Sequence, residues 1–199
     1  SPLLTPDERV RTAQAMLRDV LSALVKTRSL EGLVVLSRDP TAGEIAQEAG
    51  ARVIKEPVEV VGESPAVDYG AGTLAREGAE RVLVVPSDLP LVEAREVETL
   101  LGEDMGMPSV IMAPSDDGGT NGLLKSPPEV IPSRFGPDSL ALHIHEAESR
   151  DIPYRVVRLA SFTTDIDSPG DLTTFLRTPS STRTSDLMEE MGLRQRVLI

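Results

Sequence analysis

Apolar residues recur at helical spacing at Val10, Ala13, Met16, Leu17, Val20 and Leu24, which predicts an amphipathic first helix. Its start is marked by Thr5-Pro6-Asp7-Glu8: an N-cap, a proline in the first turn and a capping-box glutamate. The run "LVVLS" (33–37) then reads as a short buried strand. "TAGEIAQEAG" reads as a helix closed by Gly50, and "RVI" as a second strand. A polar loop from Glu56 to Ser64 leads into a helix from about Pro65 to Gly78 and a continuous apolar strand at Val82–Val85.

A helix near Glu93–Leu101 precedes the strand "SVIMAP", the loop "SDDGGT" and the returning strand "NGLLKS". Pro137–Arg150 reads as a helix, "YRVVRL" as a strand running on through "ASFTTDID", and Ser168–Leu176 as the last core helix. Beyond it, "RTPSSTRTSD" has linker composition and "LMEEMGLRQRVLI" is an amphipathic tail, packed either on its own domain or on a second subunit in a homodimer. No internal repeat is evident. The expected organisation is one domain over residues 1–176 and a linker with tail over 177–199.

Strands that alternate with helices and lack polar alternation indicate an α/β fold with a mostly parallel sheet covered on both faces. Ligands of such sheets bind beyond the carboxyl ends of the strands, so the loops after Val85, Ala113 and Leu159 are the places to look for chemistry.

Charge narrows the partners. With 20 basic and 32 acidic residues the net charge is −12, which opposes broad contact with nucleic acid or an anionic membrane. The chain has no cysteine, which excludes disulfides, zinc-thiolate sites and a cysteine nucleophile. No apolar run reaches membrane-helix length and no signal peptide is visible, so a cytoplasmic location is expected.

Against that background, Asp88 in "VPSDLPLV" stands directly after a buried strand, where a carboxylate could bind a hard cation such as magnesium or cap a turn. Asp165 and Asp167 lie two apart in "TDIDSPGDL", so in an extended segment they face one side and could share that cation. Ser168 and Asp171 can cap the following helix, which leaves the two aspartates free of that role. Gly118, Gly119 and Thr120 could form an anion-binding concavity or a plain hairpin turn. Gly136, Pro137 and Ser139 open a helix whose unpaired amides could receive phosphate or carboxylate. His143 and His145 are two apart on a helix, do not share a face, and read as surface or partly packed side chains. Lys125 and Arg134 could neutralise substrate charge or simply be solvated.

The motifs "SPLLTPDER", "VVPSDLPLV", "GGTNGLL", "FGPDS" and "TDIDSPGDL" resemble, in order and approximate spacing, those of the 2-phospho-L-lactate guanylyltransferase family. The resemblance spans Ser1 to Leu176. It implies a Rossmann-like nucleotidyltransferase fold, a GT-A-like three-layer sandwich, and transfer of GMP from GTP to 2-phospho-L-lactate, phosphoenolpyruvate or 3-phosphoglycerate in deazaflavin coenzyme biosynthesis. It further implies that Asp88, Asp165 and Asp167 look like the magnesium (or manganese) ligands. Thr120, Gly136 and Ser139, with Gly119 and Asn121 beside Thr120, resemble the positions that hold the phosphorylated acid.

Two departures accompany the resemblance. The family opens with a strand and a glycine- and lysine-containing phosphate loop, and Ser1-Pro2 corresponds to the residues just after it, so a segment carrying both is expected ahead. "GESPAVDYGAG" stands where many members have Gly-Leu-Asn, which makes Ser64 and Asp68, with Ser87, the candidate nucleotide contacts. Asp138 adds a negative charge to the anion-binding turn. Another small-molecule nucleotidyltransferase, a glycosyltransferase using Asp165-Ile-Asp167, and a non-catalytic binding module are the rival readings.

Overall fold

The computed structural model describes residues 3–197. Ser1 and Pro2, at the head of the first motif, and Leu198 and Ile199, at the end of the tail, lie outside the described residues. The chain runs α1 (Pro6–Val25), β1 (Val34–Leu36), α2 (Pro40–Glu48), β2 (Arg52–Ile54), α3 (Glu63–Arg76), β3 (Val82–Val84) and α4 (Ala94–Gly102). It continues through β4 (Ser109–Pro114), β5 (Thr120–Ser126), α5 (Ser139–Glu148), β6 (Tyr154–Val156), α6 (Pro169–Arg177), α7 (Arg183–Glu190) and α8 (Leu193–Val197).

The capping box of α1 forms as the sequence requires: Thr5 Oγ1 accepts from the Glu8 amide while the Glu8 carboxylate accepts from the Thr5 amide. Met16, Val20, Leu21 and Leu24 carry the buried stripe, whereas Val10 is exposed.

β3, β5, β4 and β6 form one sheet in that spatial order. β5 runs antiparallel to both neighbours and β6 runs parallel to β4, so β5 is the one strand of the four that is reversed. β4 and β5 are buried along their whole lengths. Their side chains alternate as strand geometry demands: Ile111, Ala113 and Leu124 meet α1 and α4 on one face, while Val110, Met112 and Leu123 meet α5 on the other. This helix–sheet–helix layering is the α/β sandwich that the alternation of elements predicts.

β1 and β2 form a separate parallel pair, packed under α1 and α2 through Leu21, Ile45, Ala46 and Ala51. Among the described residues β1 pairs only with β2 and β3 only with β5. Between β1 and β3 lies a cleft of about 1320 Å³ lined by Leu36, Ala66, Gly70, Leu74, Val82 and Val84, with Ser87 at one end of the lining.

Two expectations change. β6 stops at Val156, and Ala160–Phe162 forms a 3-10 turn instead of continuing the strand. Ser161 holds that turn, since both its amide and its hydroxyl donate to the Glu96 carboxylate at 2.7 Å. α5 begins at Ser139 and not at Pro137, because Gly136 (φ 117°) and Asp138 (φ 56°) are left-handed and cannot belong to a helix.

The tail packs on its own domain. Met188 and Leu193 share a core with Leu172, Phe175 and Leu176 of α6, together with Leu3 and Leu4. Asp19 of α1 fastens the start of α7 by accepting from the Arg183 and Thr184 amides, each at 2.9 Å, and from the Thr184 hydroxyl.

Candidate active site

β3 delivers the chain through Pro86 and Ser87 to Asp88, at the carboxyl end of the strand. Asp165 and Asp167 follow the 3-10 turn and not a strand, yet they come back to the same place: the Ile166 amide donates to the Asp88 carbonyl at 3.2 Å. One carboxylate oxygen from each of Asp88, Asp165 and Asp167 lies within 4.8 Å of the others.

The electrostatics of this cluster are those of acids crowded without a counter-charge. Asp88 Oδ1 is buried and has no hydrogen-bond partner. Desolvation, and after it the charges of Asp167, Asp165 and Glu63, pushes the Asp88 carboxyl up to about 6. Asp165 is raised chiefly by burial, opposed by the Asn121 side-chain amide, which donates to it at 3.2 Å. Glu63, on the first turn of α3, is raised by desolvation and then by the charge of Asp167, so it adds to the negative field around the three aspartates. A hard divalent cation fits such a set, because it supplies the charge that the carboxylates lack and a partner for the orphaned Asp88 oxygen.

β5 carries a bulge here, since Ala113 pairs with Gly122 and Pro114 with Thr120, and the extra residue Asn121 breaks the alternation so that Thr120 and Asn121 make their contacts on opposite faces. Asn121 donates to the Phe162 carbonyl at 2.9 Å as well as to Asp165, so it steadies a carboxylate of the cluster. Thr120 faces α5, with Oγ1 3.0 Å from His143 Nδ1. Ser139 is buried one turn before His143 on the same face of α5, and the Leu140 amide ties this turn to the Gly118 carbonyl at 3.2 Å. Thr120, Gly136 and Ser139 are thereby gathered into one hydroxyl-lined corner.

Gly119 contributes in another way. Its amide donates to Asp117 Oδ1 at 3.1 Å and is not open to a ligand, and a Cβ here would meet Ser115 Oγ at 2.5 Å. The loop from β5 to α5 is pinned by three side-chain acceptors on consecutive amides. Ser133 N–H donates to Asp68, Arg134 N–H to His143 Nε2 at 2.8 Å, and Phe135 N–H to Ser64 Oγ at 2.7 Å. Ser64 and Asp68, the candidate nucleotide contacts, are thus engaged by this loop, whereas Ser87 is exposed beside Asp88.

Lys125, expected to neutralise substrate charge or to be solvated, and His143, expected at the surface or partly packed, are both buried. Lys125 is 1% exposed and donates to Asp68 Oδ1 at 3.0 Å, to the Ile131 carbonyl and to Ser133 Oγ. His143 is wholly buried, and desolvation followed by the Lys125 charge lowers its pKa to about 4. The sequence signal for His143 is its position four residues after Ser139, and Glu63 carries none beyond its place beside Ser64.

The model of the family described as "Guanylyl transferase CofC like" matches residues 1–197. A phosphoenolpyruvate guanylyltransferase of Sphaerobacter thermophilus is 35% identical over 170 residues, covering 85% of this chain and 81% of its own. A 3-phospho-D-glycerate guanylyltransferase of Colwellia psychrerythraea is 34% identical over 171 residues, 86% of this chain and 80% of its own. A 2-phospho-L-lactate guanylyltransferase of Methanothermobacter thermautotrophicus is 34% identical over 172 residues, 86% of this chain and 74% of its own.

Among solved structures, one described as a nucleotide-diphospho-sugar transferase from Desulfovibrio desulfuricans superposes with a TM-score of 0.77 at 17% identity, over 96% of this chain and 87% of its own. A CMP-2-keto-3-deoxy-manno-octonic acid synthetase superposes with a TM-score of 0.61 at 13% identity, over 88% of each chain. These two show the fold alone, that of the nucleotidyltransferase-like sandwiches. Joined to the match along the chain, they lead to one conclusion: the chain belongs to the CofC-like guanylyl transferase family and is a nucleotide-transferring enzyme.

Proposed function

We propose that the protein transfers GMP from GTP to a small phosphorylated acid, 2-phospho-L-lactate, phosphoenolpyruvate or 3-phosphoglycerate, with release of pyrophosphate. The place of this step is deazaflavin coenzyme biosynthesis in the cytoplasm. The observation that carries the reading is the juxtaposition on β5 of two sites: Thr120 turns to the corner containing Ser139, and Asn121 to the carboxylate cluster.

In this reading a phosphate oxygen of the acid attacks the α-phosphorus of GTP in line. One phosphoanhydride bond forms as the α–β bond of GTP breaks, and the electron pair leaves with pyrophosphate. The attacking phosphomonoester, with its second pKa near 6, is largely dianionic at neutral pH, so no general base is required. Asp88, Asp165 and Asp167 would hold magnesium or manganese, which when bound neutralises the triphosphate and polarises the α-phosphoryl group. Asn121 fixes Asp165 in the cluster, while the Thr120 and Ser139 hydroxyls and the turn at Gly136 receive the acid.

The test is pyrophosphate release with magnesium and GTP against each of the three acids, with ATP, CTP and UTP as controls. Release with GTP and one acid is expected. Hydrolysis of a nucleotide sugar, with no release from any nucleotide and acid pair, would overturn the reading.

A further inference from the structure

His143 joins three elements that converge on the hydroxyl-lined corner. Its ring stands on α5, its Nε2 accepts from the Arg134 amide of the preceding loop at 2.8 Å, and its Nδ1 is 3.0 Å from Thr120 Oγ1 on β5. Phe135 packs edge-on against the ring, with centroids 5.2 Å apart at 73°, and fixes its plane.

These contacts leave one arrangement of protons. A backbone amide is always a donor, so Nε2 must present its lone pair to Arg134. A neutral imidazole carries one proton, which therefore sits on Nδ1. Nδ1–H donates to Thr120 Oγ1, and the threonine oxygen accepts. Thr120 Oγ1 has no other hydrogen bond among the described residues, so the proton of its hydroxyl is uncommitted. A doubly protonated ring would lose the Arg134 contact, and burial disfavours that charge in any case.

We propose that His143 is a positioning residue of the acid-binding corner: by donating from Nδ1 it fixes the Thr120 hydroxyl as a hydrogen-bond donor aimed at an oxygen of the bound anion. The proposal rests on the reading of the corner around Thr120, Gly136 and Ser139 as the acid site. It carries a specificity consequence. A threonine that must donate favours an acceptor-only group, a phosphate dianion or carboxylate, over an alcohol or amine in the same place.

Two substitutions separate this role from packing. In His143→Gln the amide oxygen can replace Nε2 as acceptor for Arg134, but the donor to Thr120 is lost. In His143→Asn the side-chain amide nitrogen can replace Nδ1 as donor, but the Arg134 acceptor is lost. His143→Gln is expected to raise KM for the acid about tenfold while KM for GTP stays within about twofold. His143→Asn is expected to recover most of the acid KM.

Nitrogen-15 spectra of the wild-type imidazole provide the second readout and need neither turnover nor a variant. A protonated Nδ1 with an unprotonated Nε2, unchanged when inorganic phosphate is added and shifts the Thr120 resonances, is the expected result. A protonated Nε2 would overturn the proposal. So would a loss of acid and GTP affinity by both variants to the same extent, which is the mark of a packing role. If the wild type shows the Nδ1 tautomer but neither turns over any acid nor responds to phosphate, the acid-site reading fails and the positioning role fails with it.

Discussion

The corner around Thr120 and the cluster around Asp88 are built from the two faces of one strand, yet they differ in how far the protein satisfies its own polar groups. Around Thr120, buried Lys125 has three acceptors, His143 has a donor and an acceptor, and the loop amides of residues 133–135 are all paired. At Asp88 a buried oxygen is left without a partner and acids crowd one another. The first region is thus closed by the polypeptide except for the Thr120 hydroxyl proton, while the second has the charge imbalance and the orphaned oxygen that a hard cation would fit.

Asp88→Asn gives the largest expected effect: turnover falls by roughly 10²–10³-fold or more, because the cation proposed for this cluster would lose a ligand where charge must be neutralised. Thermal melting without metal should leave this variant as stable as the wild type or more so, since a charge that burial and Asp167 oppose is gone. A variant that retained near-wild-type rate would erase the contrast between the two regions. Lys125→Met should act the other way, destabilising the fold by about 3 kcal/mol in urea unfolding, because it strips the buried ammonium from Asp68, Ser133 and Ile131.

His143 adds a pH-dependent contribution. Its folded pKa of about 4 lies below the unfolded value near 6.5, so the unfolded chain binds the proton more readily in between. Stability from this group is full above about 6.5 and is lost as the pH falls toward 4, by roughly 3 kcal/mol in all. Asp88, whose pKa is raised, works in the opposite direction, so the measurement is the difference between wild type and His143→Gln in urea unfolding at pH 7.5 and pH 5. A difference that does not shrink at the lower pH would contradict the assignment. The smallest effect is expected from Gly136→Ala, about 1–2 kcal/mol, since φ of 117° is unfavourable for any residue with a Cβ although space for one exists.

Much of this was readable in the sequence, for identifiable reasons. The order of helices and strands follows from uninterrupted apolar runs and strong caps such as Thr5 with Glu8 and Ser168 with Asp171. Asp88, Asp165 and Asp167 were legible as a group because acids beyond strand ends in an α/β sheet converge on one edge. What was not legible depends on contacts distant in the chain. "LASF" has strand composition but bends because Glu96, 65 residues earlier, takes both donors of Ser161. The full burial of Lys125 and His143 was not legible because their partners Asp68 and Thr120 belong to other elements. The reversal of β5 is local by contrast, and "SDDGGT" signals it through the hairpin alternative for Gly118 and Gly119.

The cleft between β1 and β3 marks the less finished region on a larger scale. Their facing edges have no strand partner among the described residues, whereas β4 and β5 are paired and buried throughout. Amide exchange in the chain as numbered should therefore be faster at Val34–Leu36 and Val82–Val84 than at Ile111–Ala113 and Leu123–Leu124.

The most direct test of the central claim is the melting temperature of wild type and Asp88→Asn as magnesium is raised into the millimolar range, with potassium chloride matched for ionic strength. A ligand that binds only the folded state stabilises it in proportion to the logarithm of its excess over Kd. The account predicts that magnesium raises the wild-type melting temperature, that potassium does not, and that Asp88→Asn is insensitive to both. An equal response of the two proteins to magnesium would contradict it.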